Sequence, residues 1–160
     1  MGKQITIEPI TRLEGHGMID IFLNDEGNVD SAFLRIPELR GFEKFCEGRL
    51  AEEVARITPK ICGVCPTTHH MAAGKTLDAL YHVDPPPAAK MIRELINSAF
   101  MAEDHFLHFF FLGGPDFIVG PQAAKGERNI LGVLAKVGLD VGKRVIEVRR
   151  KLRSIITKLG

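Results

Sequence analysis

The chain has 160 residues, 45% of them apolar and 26% charged, with a formal net charge of +1. That length and apolar content support a substantial core and exclude a disordered or fibrous chain. The near-neutral balance excludes a bulk field that recruits nucleic acid or an anionic membrane, and no uncharged apolar run reaches the ~18 residues needed to span a bilayer.

The opening MGKQITIEPITRLEGHG lacks the basic-then-apolar pattern of a secretory signal, so the expected compartment is the cytoplasm. The first third alternates in the manner of strands, with candidates at Gln4 to Ile10, Gly17 to Leu23 and Val29 to Ile36. Asn24-Asp25-Glu26-Gly27-Asn28 supplies a turn between the last two, and Pro37 stops the third. Residues 1 to about 37 thus form a small antiparallel sheet.

Helices and loops fill the remainder, from about 48 to 160. A short helix from Arg49 to Ile57 is ended by Thr58-Pro59, since proline pushes its predecessor out of the helical region. A loop, Lys60 to Cys65, leads to Pro66 at a first helical position, and a helix runs from about Thr67 to Tyr81. Asp84-Pro85-Pro86-Pro87 is a stiff break. Pro87 to Leu112 is the longest helical candidate, with Met91, Leu95, Ala99, Phe106 and Phe109 near three-to-four spacing. Gly113-Gly114-Pro115 is expected to end it.

A second loop, Asp116 to Glu127, precedes a final helix from about Asn129 to Leu159. Its apolar stripe (Leu131, Leu134, Val137, Val141, Val145, Val148, Leu152, Ile155) has few partners within these residues and is expected to pack on something beyond them. The basic stretch Lys143 to Lys158 reads as a solvated helix face. The fold class is α+β, a small N-terminal antiparallel sheet followed by a mainly helical bundle.

The strongest chemical signal is Cys62-Gly63-Val64-Cys65, with His69 four residues on and His70 beside it. Two thiolates at this spacing can grip one soft or borderline metal. The glycine allows a close turn, and the helix start at Pro66 favours thiolate. Three rival readings stay open on spacing alone. A structural zinc site would need more ligands than this pair, a thioredoxin-like dithiol would need a preceding strand, and the cysteines could be inert and buried. With three cysteines in all, a disulfide framework is not expected.

Arg12-Leu13-Glu14-Gly15-His16 holds a carboxylate between Arg and His. It reads either as a proton-handling group or as a surface turn with a loose ion pair. Glu43, in Arg40-Gly41-Phe42-Glu43, reads alone as a solvated carboxylate, and Cys46 as a small, at least partly buried residue. His105 and His108 lie at helical spacing beside three phenylalanines and read as hydrogen-bonded core histidines.

Taken in order, these segments resemble the large subunit of [NiFe] hydrogenases. The family's RxEGH is similar to Arg12-Leu13-Glu14-Gly15-His16, and its RGxE to Arg40-Gly41-Phe42-Glu43. Its RxCGxC with a downstream histidine matches Cys62-Gly63-Val64-Cys65 and His69, and its DHxxHF matches Asp104-His105-Phe106-Leu107-His108-Phe109. Lys60 stands where the family has Arg, keeping the charge but not the planar fork. The family's second cysteine motif, DPCxxC, is absent from these residues, so the chain is expected to be the N-terminal portion of a larger subunit.

The resemblance implies reversible heterolytic cleavage of H2 at a Ni–Fe centre whose iron carries carbonyl and cyanide. It implies Cys62 as a terminal nickel thiolate and Cys65 as a thiolate bridging nickel and iron. His69 is implied as a donor to that bridging sulfur, Glu14 as the proton carrier, and Glu43 as a magnesium ligand. Electrons would leave through iron–sulfur clusters on a separate small subunit, then through further electron-transfer subunits. The run from Cys62 to His70 looks like the cytoplasmic multi-subunit hydrogenases that serve NAD, deazaflavin F420, a disulfide reductase or ferredoxin. A zinc-binding CxxC interaction domain, and a metal-free relative in a respiratory complex, are the alternatives.

Overall fold

In a computed structural model, residues 3–38 and 40–159 are described. They fall into two compact units, Met1–Arg40 and Gly41–Gly160.

The first unit is a three-stranded antiparallel meander of β1 (Gln4–Ile7), β2 (Met18–Leu23) and β3 (Val29–Arg35). The first strand is shorter than the expected Gln4 to Ile10, since Pro9 has no N–H to give the ladder. The register sets Thr6 opposite Asp20, and Asp20 is almost fully buried. The Thr6 hydroxyl donates to it at 2.7 Å, the Gln4 amide at 3.1 Å, and Arg35 Nε lies 2.8 Å away. The Thr6 hydrogen bond above all, helped by Gln4 and Arg35, holds the Asp20 carboxyl below the usual carboxylate range despite the burial that opposes ionisation. Gly17 is buried because Leu13 and Ile10 crowd it: a Cβ there would lie 2.9 Å from Leu13 Cδ2.

The second unit is helical. Its elements are α1 (Phe42–Cys46), α2 (Val54–Ile57), α3 (Pro66–Leu80), α4 (Pro87–Leu107), α5 (Ile130–Val137) and α6 (Leu139–Leu159). The expected helix from Arg49 to Ile57 is instead a 3-10 turn, Ala51–Glu53, followed by α2. Thr58-Pro59 does not break the chain into a loop. Thr58 keeps helical dihedrals, φ −61° and ψ −32°, and a second 3-10 turn, Thr58–Ile61, runs on from it. Proline sits in the first turn, where its missing N–H costs nothing, and the Thr58 hydroxyl donates to the Val54 carbonyl at 3.0 Å.

Gly113-Gly114-Pro115 likewise fails to end its helix. Beyond α4 the chain widens into π-helical turns, His108–Gly113 and Pro115–Val119, and stops only at Gly120, whose φ is +108°. A proline ring clashes with the carbonyl four residues back in an α-helix, and the wider π turn admits it. Gly114 permits the close approach: a Cβ there would lie 3.0 Å from the Phe109 carbonyl and 3.3 Å from Val133. Pro115 is fully buried.

The last predicted helix is two. Asn129 caps α5, accepting from the Leu131 and Gly132 N–H groups at 2.9 and 3.1 Å. Gly138, with φ +85° and ψ 158°, then separates α5 from α6. The turn is tight: a Cβ on Gly142 would meet Leu134 Cδ1 at 2.6 Å.

The core is small, centred on Ala73, Ile96, Ala99, Phe100, Val133 and Val145. Along α6 only Val145 is buried; of the expected apolar stripe, Leu131, Val141 and Val148 are exposed, while Leu134, Val137, Leu152 and Ile155 are half-buried. Glu103 on α4 is 3% exposed and accepts from Arg149 on α6 through Nε at 2.9 Å and Nη2 at 2.5 Å. Arg149 also lies over the Phe111 ring at 5.5 Å. Because removing one partner of a buried pair strands the other, Glu103→Ala is expected to cost about 3 kcal/mol. A urea midpoint unchanged by the substitution would show the pair to be dispensable. Arg93 ties α4 to α3 through a bidentate contact with Asp78, which holds that carboxyl below its ordinary range. No described helix is long and apolar enough to cross a membrane.

Candidate metal centre

Cys62 and Cys65 sit where the second 3-10 turn gives way to α3. Cys62 is extended, with φ −137° and ψ 125°, and Cys65 caps α3 from a non-helical conformation, φ −115° and ψ 37°. Pro66 takes the first helical position as expected. The Cys65 backbone N–H donates to Cys62 Sγ at 3.1 Å and closes the turn. Gly63 was expected to be needed for that closure. Its φ is not positive and a Cβ there would meet nothing within 4 Å, so among the described residues the turn closes without it.

His69 lies one helical turn into α3, and its N–H donates to the Cys65 carbonyl at 3.4 Å. That spacing returns the side chain to the side of the cap. The two sulfurs and a ring nitrogen of His69 therefore all lie within 4.8 Å of one another, and all three residues are half-buried. Two donors on opposite sides of one ion with bonds of about 2.3 Å are about 4.6 Å apart. The cluster is thus already near the size that a thiophilic ion requires. Its donor set, two sulfurs and an imidazole, suits nickel, iron or zinc and not a hard cation.

Two contacts that the sequence reading did not anticipate latch this junction. The Thr58 hydroxyl also approaches the His69 carbonyl at 3.5 Å. His70 Nδ1 lies 2.9 Å from the Ala55 carbonyl, which makes Nδ1 the protonated, donating nitrogen. The only sequence trace of this bracing is that Thr58 precedes Cys62 by one helical turn.

The other candidates lie apart from the cluster in the chain. Glu14 is an exposed residue of the first unit, in the bend between β1 and β2, where Arg12 and Gly15 adopt φ of +64° and +79°. Nearby, Glu38 accepts from the His16 N–H at 2.8 Å and ring Nδ1 at 2.6 Å. The His16 imidazole and then its backbone N–H hold Glu38 below the usual range. Glu43 is exposed in the first turn of α1, entered through Gly41 at φ +94°, and Cys46 is half-buried at its end. The core assignment of His105 and His108 does not hold: both are exposed, although His105 Nδ1 donates to the Met101 carbonyl at 2.6 Å. The π turn that begins at His108 takes that side chain off the regular helical track.

Comparison with known proteins gives a consistent picture. A family model described as nickel-dependent hydrogenase matches residues 40–158, and one described as HoxL-like matches residues 4–39. An iron-sulfur subunit of the F420-non-reducing hydrogenase of Archaeoglobus profundus is 50% identical over 99% of the chain, which spans 32% of that relative. A vhu subunit of the F420-non-reducing hydrogenase of Methanocaldococcus jannaschii is 48% identical over the whole chain, which spans 38% of it. The chain therefore spans about a third of the length of these curated relatives. Among solved structures, an NAD+-reducing [NiFe]-hydrogenase in the H2-reduced state superposes with a TM-score of 0.83 at 38% identity, over 98% of this chain and 35% of that one.

Proposed function

The chain belongs to the nickel-dependent hydrogenase family, and on that premise we propose that it forms the N-terminal portion of a [NiFe] hydrogenase large subunit. The assembled enzyme cleaves H2 reversibly and heterolytically. The observation that carries this reading is the convergence of Cys62, Cys65 and His69 within 4.8 Å at one helix start.

In this reading Cys62 and Cys65 would supply thiolate ligands to the Ni–Fe centre, Cys62 to nickel and Cys65 to both metals. A further cysteine pair from outside these residues completes the cradle. When bound, the Ni–Fe centre, with carbonyl and cyanide on its iron, supplies the electron-rich and Lewis-acidic site that polarises H2. The residues of this chain do the rest. The His69 imidazole orients the Cys65 sulfur by donating a hydrogen bond to it, a role that tunes a metal ligand from outside the coordination sphere. A Glu14 carboxylate oxygen accepts the proton and passes it outward. Glu43, an oxygen donor, suits the magnesium ion assigned to it.

Electrons pass to iron–sulfur clusters on a small subunit, then to further subunits, in the cytoplasm. The likeness to F420-non-reducing and NAD+-reducing enzymes supports a multi-subunit complex of that kind. Elemental analysis of the purified complex is the direct test. About one nickel per large subunit, with iron in excess of nickel because of the iron–sulfur clusters, and H2-dependent isotope exchange, is the expected result. One zinc and no nickel would replace it with a zinc-stabilised interaction domain, for which the three-donor cluster is also chemically competent.

A further inference from the structure

His69 and His70 are neighbours on α3, but one helical step turns their side chains about 100° apart. His69 joins the sulfur cluster. His70 instead reaches back across 15 residues to α2, where its Nδ1 donates to the Ala55 carbonyl at 2.9 Å. That carbonyl needs a donor from outside its own helix. In a continuing α-helix it would accept from the N–H of residue 59, and residue 59 is Pro59, which has none. The Thr58 N–H is given to the Val54 carbonyl. Pro59 lies in the first turn of the 3-10 segment that leads to Cys62. The residue that steers the chain toward the cysteines thus leaves an open acceptor behind it, and His70 fills it.

The segment closed by this bond contains both cysteines. It leaves α2, turns with the Cys65 N–H on Cys62 Sγ at 3.1 Å, and returns along α3. A second tie lies at the far end of α3, where the Tyr81 hydroxyl donates to Glu52 Oε1 at 2.8 Å. The stretch that precedes the cysteines is therefore fastened to α3 at both ends of that helix. Water can satisfy the Ala55 carbonyl, but only a donor carried by α3 also fixes α3 to α2.

We infer that His70 is a positioning residue for the metal centre: by bonding the carbonyl that Pro59 leaves open, it fixes the entry and exit of the cysteine turn, and with them the spacing of Cys62, Cys65 and His69. The inference rests on the function proposed above and gives His70 no contact with metal or substrate. Only the Nδ1–H is used, so another side chain that places an N–H there can replace the ring. Asparagine does so through its Nδ2, and alanine cannot.

The experiment compares the native complex, with its full-length large subunit, to the same complex carrying His70→Ala or His70→Asn. The readouts are the infrared bands of the iron-bound carbonyl and cyanide, isotope exchange per bound nickel, and Tm. His70 is exposed, so the alanine variant is expected to fold. Its bands are expected to shift or split and its exchange to fall about 10-fold or more, the scale on which groups outside the coordination sphere act. His70→Asn is expected to return both toward wild type. Wild-type bands and exchange in His70→Ala overturn the inference. So does a lowered Tm with bands and exchange unchanged, which describes a brace with no influence on the centre. Equal loss in His70→Asn and His70→Ala overturns it as well, because the hydrogen bond would then not be what positions the turn. Failure of the hydrogenase reading is separate, and appears as a wild-type complex with neither nickel nor carbonyl and cyanide bands.

Discussion

Replacing Cys65 by serine is expected to abolish the binuclear centre while leaving the fold in place. Cys65 occupies the N-cap of α3 and makes no side-chain capping hydrogen bond there. Serine is among the preferred N-cap residues, so the helix should form at least as well as in the wild type. The metal has no such compensation. A serine hydroxyl is neither soft nor readily ionised, and this position is assigned to both metals. Loss of an orienting partner outside the coordination sphere costs about 10–100-fold in metal affinity, so loss of a bridging ligand should cost at least about 100-fold. Helical circular dichroism should be preserved, and nickel and iron in the isolated large subunit should both fall to background by mass spectrometry. A Cys65→Ser protein with a normal complement of both metals would refute the bridging role.

The second large effect is expected at Glu14. Glu14→Gln keeps the side chain's length and its ability to accept a hydrogen bond, but the amide cannot carry a proton. Positioned proton transfer is typically worth about 10²–10⁴-fold in rate, so hydrogen/deuterium exchange should fall by about that factor. Nickel and iron should stay at wild-type levels, because residue 14 lies in the first unit and is no member of the donor cluster. Glu14→Asp, shorter by one methylene, should restore part of the rate. Exchange at the wild-type level in Glu14→Gln would remove Glu14 from the proton route.

The sequence makes the sheet and the cysteine junction readable for local reasons. Strand alternation, the turn at residues 24–28 and the helix-initiating Pro66 each act within a few residues, and they appear where expected except that β1 ends at Ile7 instead of Ile10. The convergence of His69 on the cysteines follows from one turn of helix. Prolines and glycines misled the reading in three places. Thr58-Pro59 and Gly113-Gly114-Pro115 were expected to end helices, yet a tightened turn absorbs the first and a widened turn the second. Both depend on packing or hydrogen bonds that spacing does not record, such as Gly114 against Val133.

Gly138 errs the other way. It lies within an unbroken apolar rhythm, and only its positive φ splits the final helix. The buried Glu103 was equally invisible, because its partner is 46 residues away. The magnesium role proposed for Glu43 rests on the family's motifs alone, and the proton role proposed for Glu14 rests on them beyond its place between Arg12 and His16. Both are exposed carboxylates.

The donor cluster at residues 62–69 also has a temporal side. Its geometry depends on one turn and the first turn of one helix, contacts of short sequence separation that form within about microseconds. Parts of a protein that must search across long loops arrive far later. On the function proposed above, the thiols of this chain would be in place ahead of any ligand contributed from more distant parts of the polypeptide.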